Sequence, residues 1–151
     1  MNLVDYIEDF DLASPGAVVY GYRQGWVDKS YMSSYFSRLL LQEENNSNVD
    51  FQSLAFSTTL DINELESSIS SIFSKESLDI IIDKWRLAKL MKIKDSTITE
   101  EEKLISLEKV YSEFDYPEDM FACSIYSPAN GDPLENMYEV IRLLESRFDN
   151  L

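Results

Sequence analysis

The stretch from Lys75 to Lys94, KESLDIIIDKWRLAKLMKIK, is the most apolar part of the chain and decides the fold class. Its apolar residues occupy more than one helical stripe, which is typical of a central, largely buried helix. The whole chain has only four glycines and four prolines, and such sparse punctuation favours long helices over a many-turned β-sandwich. We therefore expect a mainly α protein, with 1–151 forming a single acidic helical domain, a bundle of about six to seven helices.

Helix starts are marked by residues whose side chains can accept hydrogen bonds from the amides of a first turn. These are Ser14 with Pro15, Asp28, Asp61 with Glu64, Thr99 with Glu102, and Asp132 with Pro133. Apolar residues at three- and four-residue spacing follow them and predict helices. The segment Val49 to Thr59 is ambiguous between a short helix and a strand. Phe121 to Tyr126 is predicted to be a short strand or an irregular segment.

The charge and the absence of histidine exclude several classes of protein. The chain has 28 Asp plus Glu against 13 Lys plus Arg, a net charge of −15, and no histidine. A Ser-His-Asp triad, a Cys-His pair and imidazole-bound zinc are therefore excluded within this chain. The single cysteine, Cys123, cannot form an internal disulfide, and we expect an unreactive reduced thiol. We predict no catalytic residue, no metal ion and no cofactor.

The same charge predicts the kind of partner. A strongly acidic chain is repelled by nucleic-acid backbones and by anionic membrane surfaces, and it is attracted to basic proteins. No apolar run is long enough to span a bilayer, and the first residues, MNLVDYIEDFDL, are acidic where a secretion signal is basic. We expect a cytoplasmic protein, with a monomer favoured over an oligomer.

The central predicted helix carries the only concentrated basic patch: Lys84, Arg86, Lys89, Lys92 and Lys94. A nucleic-acid site is one interpretation of this patch. We favour the other, in which these side chains pair with surrounding carboxylates and lie along the edges of the helix.

A long acidic segment provides the candidate binding residues. Between Lys109 and Arg142 there are seven carboxylates and no basic residue, together with Tyr116, Phe121, Tyr126 and Tyr138. Aromatic rings anchor protein interfaces and carboxylates speed encounter with a basic protein, whereas the alternative is a solvated acidic face with half-buried tyrosines. The predicted partner-binding residues are Asp115, Tyr116, Glu118, Asp119, Tyr126, Asp132 and Glu135. A second acidic stretch, Leu39 to Ser74, carries six more carboxylates and contains no basic residue.

Two parts of the chain resemble an uncharacterised bacterial domain family encoded beside polymorphic toxins. They are NLVDYIEDFDLASPGAVVYGYRQGWVDKS (2–30) and FDYPEDMFACSIYSPANGDPLENM (114–137). The most specific part is Tyr116-Pro117-Glu118-Asp119, followed by Asn130-Gly131-Asp132. The resemblance implies an immunity protein of the contact-dependent growth inhibition kind, which neutralises a cognate toxin C-terminal domain and has no catalytic residues. It implies no particular binding position.

Three functions follow from these observations. The leading hypothesis is an immunity protein that occludes a basic toxin domain, with a nuclease as one candidate class of toxin. The second is an acidic regulator or nucleic-acid mimic that binds a host basic protein. The third is a metal-dependent enzyme that uses carboxylates alone.

Overall fold

The computed structural model describes residues 2–124 and 131–149. These residues form eight α-helices and three short 3₁₀ helices, and they contain no strand. The α-helices are α1 (Leu3–Asp9), α2 (Pro15–Gln24), α3 (Lys29–Leu40), α4 (Val49–Ala55), α5 (Ile62–Phe73), α6 (Leu78–Asp95), α7 (Glu100–Glu113) and α8 (Pro133–Asp149). The 3₁₀ helices are Glu43–Asn45, Ser57–Thr59 and Glu118–Cys123. The prediction of a mainly α fold is confirmed.

The helices begin where the capping residues predicted. The side chains of Ser14, Asp28, Asp61 and Thr99 each accept a hydrogen bond from the amide three residues further on. Thr99 forms a full capping box, because the side chain of Glu102 accepts from the Thr99 amide in return. Each such cap satisfies an amide that the first helical turn would otherwise leave unpaired.

Two segments needed the structure to settle them. Val49–Ala55 is a helix, capped by Asn48, whose side chain accepts from the Phe51 amide. Glu118–Cys123 is a 3₁₀ helix, so Phe121 to Cys123 form a helical turn where a short strand or an irregular segment was predicted. Pro117 and two carboxylates at the start of this turn favour helical geometry. Tyr126, at the far end of the predicted strand, lies outside the described residues.

The chain divides into two compact units. The first, the N-terminal unit, is Ile7–Ile81. In it α3 packs against α2 and α4, and α5 packs against the same two helices. Its fully buried side chains include Phe36, Leu54, Leu65 and Ile69, and burial of each large apolar side chain contributes about 1.5–3 kcal/mol.

The second, the C-terminal unit, is Met1–Tyr6 with Ile82–Leu151. Here the 3₁₀ helix Glu118–Cys123 packs against both α7 and α8. Trp85, Leu107, Met120 and Met137 are fully buried. The predicted partner-binding residues that the structure describes all belong to this unit. The assignment of 1–151 to one domain stays a prediction.

No helix within residues 2–124 and 131–149 is both long and apolar enough to cross a bilayer.

Candidate functional site

Helix α7 ends in a strained turn that leads into the candidate site. Asp115 and Tyr116 both adopt the left-handed backbone conformation, with φ of 61° and 55°. The Asp115 amide donates to the Ser112 carbonyl (3.1 Å), and the Tyr116 amide donates to the Tyr111 carbonyl (2.8 Å). These bonds satisfy the last carbonyls of the helix, as in a Schellman motif. A left-handed non-glycine residue costs about 1–2 kcal/mol, and such residues concentrate at functional sites.

Three aromatic rings of the acidic segment are exposed. The exposed fractions of Tyr116, Phe121 and Tyr138 are 60%, 58% and 42%. Tyr116 is supported from one side by Tyr111, whose ring lies edge-on at 5.1 Å between centroids. On α8, Tyr138 is exposed although Met137 and Val140 beside it are buried. Exposed aromatic rings of this size are typical of protein-binding surfaces.

Besides Asp119, four of the predicted carboxylates are exposed: Asp115, Glu118, Asp132 and Glu135. None of the ion pairs formed among the described residues includes any of them. Asp132 also caps α8, because its carboxylate accepts a hydrogen bond from the Leu134 amide (3.0 Å). The negative charge of these four residues is therefore not neutralised by neighbouring cations.

The exposed rings and carboxylates come from two segments that pack together. The 3₁₀ helix Glu118–Cys123 lies against α8, and the Asn136 amide group donates to the Ala122 carbonyl at 2.7 Å. We name the combined set the acidic aromatic surface. Its members are Asp115, Tyr116, Glu118, Phe121, Asp132, Glu135 and Tyr138. Tyr126, the remaining predicted aromatic, lies outside the described residues.

Asp119 differs from the other predicted carboxylates because it holds the fold together. Both of its oxygens accept hydrogen bonds from the guanidinium of Arg86, one of them at 2.9 Å. Arg86 is only 4% exposed and also donates to Asp83 at 3.0 Å, and Arg147 pairs with Asp83 in turn. Burial lowers the pKa of Arg86, but Asp119 and Asp83 more than offset this, so the pKa lies above its usual value. Asp119 therefore fastens the 3₁₀ helix to α6.

The basic patch of α6 is paired internally at Arg86 and Lys89. Arg86 is held by Asp83 and Asp119, and Lys89 pairs with Glu113 of α7. This confirms the internal-pairing interpretation for Arg86 and Lys89. The sequence offered no signal for either long-range partner, since Glu113 and Asp119 lie 24 and 33 residues further along the chain.

The second acidic stretch, Leu39 to Ser74, belongs to the N-terminal unit. Part of its charge is engaged there, because Glu66 pairs with Arg23 at 2.5 Å and Asp50 accepts a hydrogen bond from Ser71 at 2.9 Å. The counter-charge comes from α2, which precedes the stretch in sequence. The uncompensated charge is thus clearer in the C-terminal unit.

Comparison with known proteins gives one result for this fold and surface. A family model described as an uncharacterized protein conserved in bacteria, DUF2247, matches residues 5–150. The chain belongs to this family. The DUF2247 match includes the acidic aromatic surface, the whole N-terminal unit and most of the C-terminal unit. No curated protein and no solved structure matches the chain.

Two further features of this DUF2247 chain bear on its chemistry, the single cysteine and the grouping of its acidic side chains. Cys123 is buried, and burial, with a smaller effect of Asp119, raises the pKa of its thiol to about 11. A thiol with so high a pKa is a poor nucleophile near neutral pH. Within residues 2–124 and 131–149, no three acidic or cysteine side chains are grouped so that they could hold a metal ion.

Proposed function

We propose that this chain is a non-enzymatic immunity protein that binds one basic toxin domain in the cytoplasm and blocks it. The observation that carries the proposal is the acidic aromatic surface, where four carboxylates without ion pairs accompany three exposed rings. The net charge of −15 adds a long-range attraction to a basic partner. A bacterial family is compatible with this role, and the sequence resemblance supplies the toxin as partner.

The mechanism is occlusion of the toxin. Carboxylates of the surface pair with the lysines and arginines that hold the toxin's substrate, and the aromatic rings fill apolar pockets at the centre of the contact. The charges raise the association rate by about ten- to a thousand-fold. The rings provide most of the affinity, because buried aromatic anchors dominate the binding energy of protein interfaces.

The test uses the tagged chain as bait in a lysate of its own bacterium, washed at physiological salt. Two variants change the surface: E118K/E135K reverses two exposed charges, and Y116A/F121A removes two exposed rings. The matched control, E43K/E44K, reverses two exposed carboxylates of the N-terminal unit. None of these substitutions removes a hydrogen bond or ion pair between side chains that the structure describes, so all variants should melt near the wild-type temperature.

The wild type and E43K/E44K should retain one toxin domain in near-equal amount. With that domain purified, E118K/E135K should slow association about tenfold. Y116A/F121A should weaken binding by about thirtyfold or more, which corresponds to the ~2 kcal/mol typical of an anchor residue. Equal affinity in all four proteins would place the contact elsewhere and overturn the role of this surface.

Neutralisation is tested separately from binding. The captured domain should arrest growth when expressed alone, and co-expression of the wild type should restore growth where Y116A/F121A does not. A captured partner that is harmless when expressed alone would refute the immunity function.

A nucleic-acid mimic is the second candidate, favoured by the same uncompensated carboxylates. It predicts a spread of host basic proteins that leave the bait at moderate salt, because charge alone would hold them. An immunity protein discriminates sharply among toxins and stays bound under the same wash.

A further inference from the structure

The C-terminal unit contains a cavity that lies apart from the acidic aromatic surface. Its volume is about 370 Å³, and its walls come from α6, α7, the segment between them and the first turn of α1. Leu3, Ile93, Ile98 and Val110 provide an apolar lining. The volume falls within the ~300–1,000 Å³ range of small-molecule sites, which combine an apolar lining with a few placed polar groups.

The charge of this cavity is opposite to that of the chain. Acidic residues outnumber basic ones by 28 to 13 overall, yet Lys89, Lys92 and Lys109 line the cavity against one carboxylate, Glu113. Lys89 and Lys92 are three residues apart on α6, a spacing at which like charges repel. A cluster of three cations with one carboxylate keeps an excess of positive charge, which a bound anion would neutralise.

The three lysines differ in their ion pairing. Lys89 pairs with Glu113, and its side chain is only 14% exposed. Lys92 and Lys109 are exposed and enter no ion pair formed within the described residues, whereas all five arginines do. Burial lowers the pKa of Lys89, and the nearby charges of Lys109 and Lys92 lower it further against the opposing effect of Glu113. An anion at this point would interact favourably with all three cations.

We propose that the cavity binds a small amphiphilic anion, with its anionic head at Lys92 and Lys109 and its apolar body against Ile93, Ile98 and Val110. The apolar lining excludes a fully hydrated ion such as free phosphate as the preferred ligand, because it would leave that lining in water. The lysines reject a neutral or cationic amphiphile of the same shape. This site is independent of the proposed toxin-binding surface.

The first measurement is a titration with decanoate, observed by calorimetry and by the methyl NMR signals of isoleucine and valine. We expect a Kd on the order of 100 µM, with shifts concentrated at Ile93, Ile98 and Val110. Inorganic phosphate and decylammonium serve as probes that lack the apolar body and the negative charge, and both should leave these methyl signals unchanged. The preference for decanoate is diagnostic, because the net charge of −15 favours the cation at any non-specific site.

The second measurement compares two variants of equal net charge. K92Q/K109Q removes the two exposed lysines of the cavity, and K75Q/K94Q removes two exposed lysines that do not line it. Decanoate affinity should fall by about tenfold for each cavity lysine and stay at the wild-type value in K75Q/K94Q. Equal affinity in the two variants would overturn the proposal, as would equal binding of decylammonium or decanoate shifts spread over the whole chain.

Discussion

The substitution D119A tests whether the buried guanidinium of Arg86 depends on its carboxylate partners. In the folded protein Arg86 is 4% exposed and is held by Asp83 and Asp119. Removing one partner of a buried ion pair costs about 3–5 kcal/mol, because the other charge stays buried. The Asp119 side chain is 38% exposed and Asp83 remains in place, so we expect a smaller loss, about 2–3 kcal/mol.

That loss has a clear thermal signature. For a chain of this size, 1 kcal/mol corresponds to about 2–4 °C in Tm, so D119A should melt about 5–10 °C below the wild type. The matched control is E118A, which removes the neighbouring carboxylate. Glu118 is exposed and belongs to none of the ion pairs formed within the described residues, so E118A should stay within about 0.5 kcal/mol of the wild type.

A double-mutant cycle separates the ion pair from other effects of the substitution. R86M removes the buried charge, so D119A introduced into R86M should cost much less than D119A alone, with a coupling energy of at least about 1.5 kcal/mol. A Tm for D119A within about 1 °C of wild type, or an equal loss in E118A, would refute the argument. So would additivity of R86M and D119A.

Three further predictions concern local packing and pH. G16A should destabilise by about 1–2 kcal/mol in urea unfolding. Its new Cβ would lie 2.6 Å from the carboxyl carbon of Glu76, and moving that side chain would break the hydrogen bonds that its carboxylate accepts from Ser14 and from the Gly16 amide; wild-type stability would contradict this contact. T99A should cost about 1 kcal/mol in the same assay, since it removes the capping box of α7. Burial and the hydrogen bond to Glu8 raise the pKa of Tyr31 in the folded state above its usual value of 10.0, so the fold stabilises the neutral phenol. The free energy of unfolding should therefore fall as pH rises above about 10, where Tyr31 begins to ionise in the unfolded chain. Unfolding followed by circular dichroism between pH 8 and pH 11 checks the sign, and constant stability over that range would be the contrary result.

The parts of the fold that the sequence predicted are those specified by local chemistry. A capping side chain and the amide that it contacts are three residues apart, so Ser14, Asp28, Asp61 and Thr99 could be identified from sequence alone. Local chemistry also determines the end of α2, where Gly25 adopts the left-handed conformation with φ of 82°. These contacts do not depend on the rest of the molecule.

Other features depended on partners distant in sequence. Val49–Ala55 combines few residues with mixed propensities, and packing against α3 and α5 accompanies its helical form. Asp119 looked like a free surface carboxylate because Arg86 lies 33 residues away. The buried stripe of α8 is centred on Met137 and Ile141, so Tyr138, one position further along the helix, lies at the surface.

The sequence predicted which segment carries the candidate site, but not which of its side chains pair with distant residues. Uncompensated charge and aromatic residues mark the region around Tyr116 in sequence, and the ion pair with Arg86 then separates Asp119 from Glu118. Two lysines of the cavity, Lys89 and Lys92, belong to the basic patch that the sequence marks, but Lys109 joins them only when α7 lies beside α6. The order of charges along the sequence does not show which charged side chains come together when two helices pack.

The left-handed pair at the end of α7 has a consequence for recognition. A residue held at φ near 60° has little backbone freedom, and the ring of Tyr116 also rests against Tyr111. The conformational entropy of this side chain is therefore lost when the protein folds and not when a partner arrives. A ligand that contacts Tyr116 meets a ring already in place, so backbone strain in the free protein becomes preorganisation in the complex.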